Sequence, residues 1–208
     1  MRYLLSLIIL VHLFAGPALG SEANDVKALL KSNVDAVVEL LRNAALDKSV
    51  RNEQIINIIT PIFDFETMAK LSLGTRYWPT LDETQQSEFS ELFIRRLQAS
   101  YLDKLDVYND EKVVYGEPLT HGTKIHVPTT LVAKDSTIEM LYKFYRSGDD
   151  WNIYDVEIGG VSVIQTYRSQ FDGVLRQGSV ADLLDKLKED GAFVLPEAGE
   201  EGARRGND

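Results

Sequence analysis

The chain has 208 residues, a formal net charge of −10 and no cysteine. The lack of cysteine excludes disulfides, a catalytic thiol and a thiolate-held metal, so stability must come from one hydrophobic core. The acidic balance, with no basic stripe to break it, argues against nucleic acid and against adhesion to bare anionic bilayer.

The N-terminus reads as a secretory signal. Arg2 supplies positive charge, Leu4 to Leu13 is apolar apart from Ser6 and His12, and Ala18-Leu19-Gly20 puts small residues where a signal peptidase reads. The expectation is a signal peptide over 1–20, cleaved before Ser21, with an uncleaved anchor as the alternative. The apolar run is short for a spanning helix. Position 21 is not Cys, so no lipid anchor is expected. What remains, 21–191, is long enough for one domain, and the Gly- and charge-rich stretch 192–208 is predicted to be a disordered tail.

Helices come first. Val26, Leu29, Leu30, Val37, Val38 and Leu41 form a stripe that predicts a helix over about 25–46. A second, about 51–60, carries Ile55, Ile56, Ile58 and Ile59 and ends near Pro61. Asp64 is placed to cap a third that stops at Gly74. Asp82 with Gln85 resembles a capping box and opens the longest helix, about 82–107, roughly 39 Å long at 1.5 Å per residue. Its stripe is Phe89, Leu92, Phe93, Leu97, Tyr101 and Leu105.

Four strands follow. The first, 113–117, is short and suits an edge. The second, 123–133, sets Ile125, Val127 and Leu131 against Lys124 and His126, and Pro128 places it at an edge or bulge. The third, 138–146, puts Ile138, Met140, Tyr142 and Phe144 on one face. Ser147-Gly148-Asp149-Asp150 turns into the fourth. There, simple alternation sets Trp151, Ile153 and Asp155 on one face and Tyr154, Val156 and Ile158 on the other. After Gly159-Gly160 the period turns helical through Val163, Tyr167 and Phe171, and a last helix follows over about 180–190, capped by Ser179 and Asp182. Helices followed by an antiparallel sheet mean an α+β fold, a curved sheet of about four strands wrapping a helical layer, with helices again at the C-terminus.

Three ordered segments carry a family likeness: FDF..MA..SLG...W from Phe63 to Trp78, the aromatic helix from Phe89 to Tyr108, and W.IYDV...GVS....YRSQF from Trp151 to Phe171. In these the chain resembles the periplasmic phospholipid-binding component of the Mla (maintenance of lipid asymmetry) ABC transport system, also called the toluene-tolerance auxiliary family. The resemblance runs from about Val26 to Leu187. It implies a cone-like sheet related to nuclear transport factor 2, phospholipid as cargo, and no cofactor. It also implies two partners: an inner-membrane ABC transporter with a lipid-channel subunit, and an outer-membrane lipoprotein complex.

The physics of such a cargo is plain. At about 0.8 kcal/mol per methylene, roughly thirty methylenes cost on the order of 24 kcal/mol to expose to water. A carrier therefore needs an apolar wall and a mouth, and no catalytic constellation. Candidate wall residues are Phe65, Met68, Phe93, Leu97, Tyr101, Val127, Leu131, Met140, Tyr142, Phe144, Val163, Tyr167 and Phe171. Taken singly, each fits ordinary core better than pocket wall, and residue type does not separate the two, since both environments are apolar; the resemblance favours a wall for the set, not for each member. Tyr101, Tyr142, Tyr154 and Tyr167 pair an apolar ring with a polar tip. Arg168 is expected to pair with Asp155, a lipid phosphate being the other option.

Rival readings are a hopanoid or other hydrophobic-cargo protein, a non-catalytic envelope adaptor, and an isomerase- or dehydratase-like enzyme. For the last, Asp155, Tyr154, His126 and His121 are the candidates, with both histidines expected to be exposed. HExxH, GxSxG and phosphate-cradling loops do not occur. The reading is thus a non-enzyme with no metal site, no nucleic-acid partner and no direct membrane insertion.

Overall fold

The computed structural model describes residues 19–105, 111–134 and 136–193. Residues 1–18 of the expected signal and 194–208 of the expected tail lie outside the described residues, as do the 106–107 end of the long helix and Tyr108 of the family segment.

Helix α1 (Leu19–Arg42) stops short of its expected end because residues 43–46 turn, with Leu46 N donating to Asn43 O at 3.1 Å. Asp47 then caps α2 (Lys48–Ile59) by accepting from Ser49 N at 2.8 Å. Asp64 caps α3 (Phe65–Tyr77), accepting from Thr67 N at 2.9 Å. Gly74 breaks α3 as its sequence position predicts, at φ 78° and ψ 172°, but one more helical turn follows the break. A 3-10 turn, Trp78–Thr80, leads to α4 (Glu83–Leu105). The capping box there is reciprocal: Gln85 N donates to Asp82 Oδ1 at 2.8 Å and Asp82 N to Gln85 Oε1 at 3.1 Å.

The sheet is antiparallel and has six strands. Four long or expected ones are β1 (Lys112–Tyr115), β3 (Lys124–Val132), β4 (Thr137–Ser147) and β5 (Asp150–Ile158). Two short additions, β2 (Leu119–His121) and β6 (Val161–Ser162), are too brief to show a period in sequence. The order is β1-β3-β4-β5-β6, with β2 sharing the β1 edge of β3. The β3 strand is therefore interior, which corrects the expectation drawn from Pro128. Gly116 N donates to Pro128 O at 2.8 Å, and the reciprocal donation is the one proline cannot make. Pro128 sits where β1 pairing ends and β2 pairing begins, so no ladder bond is lost in mid-strand.

A second correction concerns β5. Val156 pairs with Tyr142, Asp155 with Lys143, yet Ile153 with Phe144. Tyr154 is thus an extra residue, and Tyr154 and Asp155 together face the single rung of Lys143. This β-bulge puts Ile153 on the same inner face as Val156 and Ile158, where simple alternation splits them. All three are buried.

On that inner face lie α3, α4 and α5 (Val163–Leu175), followed by α6 (Val180–Lys188). The segment 62–64 locks helix to sheet, with Asp64 N donating to Ile153 O at 2.9 Å and Ile153 N to Ile62 O at 2.7 Å. Phe89, Phe93, Tyr167 and Phe171 form one aromatic cluster, with ring centroids 5.2 to 6.2 Å apart. Each such buried side chain stabilises the fold by about 1.5–3 kcal/mol relative to exposure. The packed core continues past the expected domain end, because Phe193 is buried edge-on against Phe171 at 4.9 Å. Helix α1 closes the β1 side through Val26 and Leu30, with Lys27–Glu117 at 3.0 Å and the Tyr115 hydroxyl donating to Asp35 at 3.0 Å.

Candidate functional site

The thirteen candidate wall residues converge on one side of the sheet but fall into two groups. Phe65, Met68, Phe93, Leu97, Val127, Phe144, Val163, Tyr167 and Phe171 are buried. Tyr101, Leu131, Met140 and Tyr142 are half-buried, as are Leu105 and Ile138 beside them. Register explains the split. Phe144 pairs with Ile125 at the end covered by α3 and α5, whereas Met140 pairs with Thr129 and Ile138 with Leu131 toward the other end. Helices α3 and α5 lie directly against β5, but among the described residues α4 makes few close backbone approaches to any strand.

Tyr142 is half-buried, and burial pushes its phenol up to about 12. Tyr101 behaves alike: burial raises its phenol first, and nearby Tyr167, Tyr142 and Asp155 add to the shift. The hydroxyls here are poorly satisfied. Those of Tyr101 and Thr129 are buried with no hydrogen-bond partner, and that of Tyr142 reaches only the Met140 sulfur at 4.0 Å. The Tyr167 hydroxyl lies beside Ser100 without ordinary hydrogen-bond geometry. Thr129 was not singled out from sequence. Its one signal is a hydroxyl in the otherwise aliphatic row Ile125, Val127, Leu131.

Arg168 does not pair with Asp155. Its Nε and Nη2 both donate to Leu71 O, at 3.0 and 2.6 Å, and its Nε lies 3.2 Å from where a Cβ on Gly74 would sit. The arginine therefore caps the carbonyl left open by the Gly74 break, which ties SLG to YRSQF. Asp155 has other partners: Lys143 Nζ at 3.0 Å, Ser162 Oγ at 2.8 Å and Ile164 N at 3.2 Å. The carboxylate anchors the start of α5 and is fully engaged there.

Of the other enzyme candidates, Tyr154 faces outward, 3.4 Å from His126 Nε2 and under Lys124 at 4.5 Å. His121 is exposed as expected, but His126 is half-buried, its ring tilted at 36° to that of His121 with centroids 4.5 Å apart. Burial lowers the His126 pKa, with His121, Lys143 and Lys124 adding and Glu157 opposing. These groups sit on the outer face, across the sheet from the apolar wall. No three His, Asp or Glu side chains are grouped to hold a metal among the described residues. A separate open notch of about 290 Å³ lies between α3 and α5, lined by Leu73, Gly74, Arg76, Tyr77, Arg168 and Asp172 among others. It does not touch the wall residues.

The sequence model of the family described as MlaC protein matches residues 31–189. This chain belongs to the MlaC family. Among curated relatives, it is 22% identical over 139 residues to the intermembrane phospholipid transport system binding protein MlaC of Haemophilus influenzae, covering 64% of each chain. It is 23% identical over 128 residues to the toluene tolerance protein ttg2D of Pseudomonas putida, covering 60% of each. The chain thus spans somewhat under two thirds of the length of these MlaC relatives. A solved phospholipid-binding protein from Ralstonia solanacearum, in complex with a phospholipid, shares the fold at a TM-score of 0.70 and 24% identity, covering 77% of this chain and 93% of that one. The α+β architecture expected from sequence is therefore that of a solved MlaC-type fold. No helix among the described residues is long and apolar enough to cross a membrane.

Proposed function

We propose that this chain is a periplasmic lipid carrier that holds phospholipid acyl chains between α4 and the inner face of the sheet. The observation that carries the reading is that Tyr101 and Tyr142 stay half-buried beside the sealed Phe93, Val127 and Phe144, so the apolar wall runs on past the filled core. Around them Leu105, Leu131, Ile138 and Met140 supply an apolar lining. Family membership and the phospholipid named with the Ralstonia protein support the cargo.

Transfer from bilayer to such a wall exchanges one hydrocarbon-like environment for another, so it needs no chemical step. The reading is accordingly a non-enzyme, exported after removal of its signal. It exchanges cargo with an inner-membrane ABC transporter and an outer-membrane lipoprotein complex rather than with bare membrane, in keeping with its net charge of −10.

Mass spectrometry of lipid extracted from the purified protein tests this. The expected result is diacyl phospholipid near one equivalent, lowered severalfold by Met140→Asp in protein that still melts cooperatively. A polycyclic hopanoid would change the cargo. Protein that emerges empty, and stays empty when offered phospholipid vesicles, overturns the carrier.

A further inference from the structure

Three hydroxyls inside an apolar wall demand an explanation. Thr129 is only 2% exposed, and its Oγ1 has no partner. Tyr101 Oη is buried and equally unpartnered. Tyr142 Oη has only a thioether sulfur, a weak acceptor, at 4.0 Å. They belong to one neighbourhood. Thr129 pairs with Met140 across β3 and β4, Tyr142 lies two residues from Met140 on the same face, and Tyr101 on α4 is within electrostatic reach of Tyr142. An unsatisfied buried hydroxyl is costly, so two of them beside a third with only a weak acceptor are not a neutral feature of packing.

We infer that Tyr101, Thr129 and Tyr142 form a hydroxyl site that donates hydrogen bonds to the ester carbonyls of a bound lipid, so that the carrier selects ester-linked cargo. The inference rests on the carrier reading above. Two of these donors lack an acceptor and the third has only a sulfur, and ester carbonyls are acceptors only. They are the uncharged acceptors that a diacyl lipid carries at the head of its chains. A phosphate fits poorly, because neutral hydroxyls do not compensate a buried charge. Burial raises both phenols well above neutral pH, which keeps the two tyrosines protonated and able to donate. A saturated polycyclic lipid without esters would leave the donors orphaned.

The test offers the delipidated full chain equimolar vesicles of diester and diether phosphatidylethanolamine with matched chains, then quantifies bound lipid by mass spectrometry. Wild type should take up the diester about fivefold or more over the diether, the factor that one net hydrogen bond supplies. In the Tyr101→Phe, Thr129→Val double variant the diester preference should be lost, and its lipid-free melting temperature should hold or rise. Equal uptake of both lipids by wild type, or a preference that survives in the variant, overturns the ester site and leaves the carrier standing. A variant that melts well below wild type shows that the hydroxyls serve the empty fold, which also overturns the site. Failure of wild type to take up either lipid overturns the carrier reading itself.

Discussion

The two ends of the inner sheet face are built from similar residues and packed in opposite ways. At the end under α3 and α5, Phe89, Phe93, Tyr167 and Phe171 interlock with Val127 and Phe144, all at 0–1% exposure. At the other end Tyr101, Leu131, Ile138, Met140 and Tyr142 are equally apolar but only half-buried. One end is filled core; the other is where the proposed reading puts the cargo. Hydrophobicity alone does not separate the two ends; burial does.

The contrast can be broken most forcefully at Val127. Val127→Asp places a carboxylate in the sealed end and should cost on the order of 5 kcal/mol, enough to unfold the domain, whereas Met140→Asp at the open end should leave a cooperative melt. Circular dichroism melts of the pair decide it, and a folded Val127→Asp protein would show that the sealed end is not sealed. Next, Phe93→Ala should lose about 3–5 kcal/mol in urea unfolding, and Met140→Ala under about 1.5 kcal/mol, because a half-buried side chain leaves little cavity behind. Equal losses would erase the distinction between the ends.

Smaller effects sharpen the boundary of the sealed end. Gly74→Ala forces a Cβ toward the Arg168 guanidinium at a φ of 78° and should cost about 1–3 kcal/mol. Arg168→Lys, which gives up the paired donation to Leu71 O, should lose about 1 kcal/mol, read from the same unfolding curves. The smallest is acid sensitivity at the helix–sheet joint. Burial acts to raise the Asp64 pKa, but hydrogen bonds from Tyr145 and Thr67 outweigh it, so the folded value lies below the ordinary carboxylate range. Its contribution is present above the unfolded pKa, near 4. It fades as pH falls through the lower folded value. Asp64→Asn should flatten that part of the stability–pH curve.

Local features were legible in the sequence because local chemistry sets them. The caps at Asp64, Asp82 with Gln85, and Ser179 with Asp182 all form as read, since each joins a side chain to backbone a few residues on. The long strands and the aromatic face of α4 follow from their periods. What escaped the sequence depends on a partner far along the chain. Arg168 chose Leu71 O, 97 residues away, over the nearer Asp155, because the Gly74 break left that carbonyl open. The bulge at Tyr154 exists only relative to β4, so alternation within β5 misassigns Ile153. For the candidate wall, residue type gathered side chains on one side of the sheet but did not separate the buried from the half-buried. That difference depends on which distant element packs over each strand end, which no spacing encodes.

The bulge has a consequence for how this strand tolerates change. Because Tyr154 and Asp155 share one rung, β5 carries a spare position: removing Tyr154 would restore plain pleating and leave Ile153, Val156 and Ile158 pointing where they already point. Length variation there reshapes the outer surface of Lys124, His126 and Tyr145 while the interior stays in frame. The molecule can thus remodel the face it shows to the outside without renegotiating the one it keeps within.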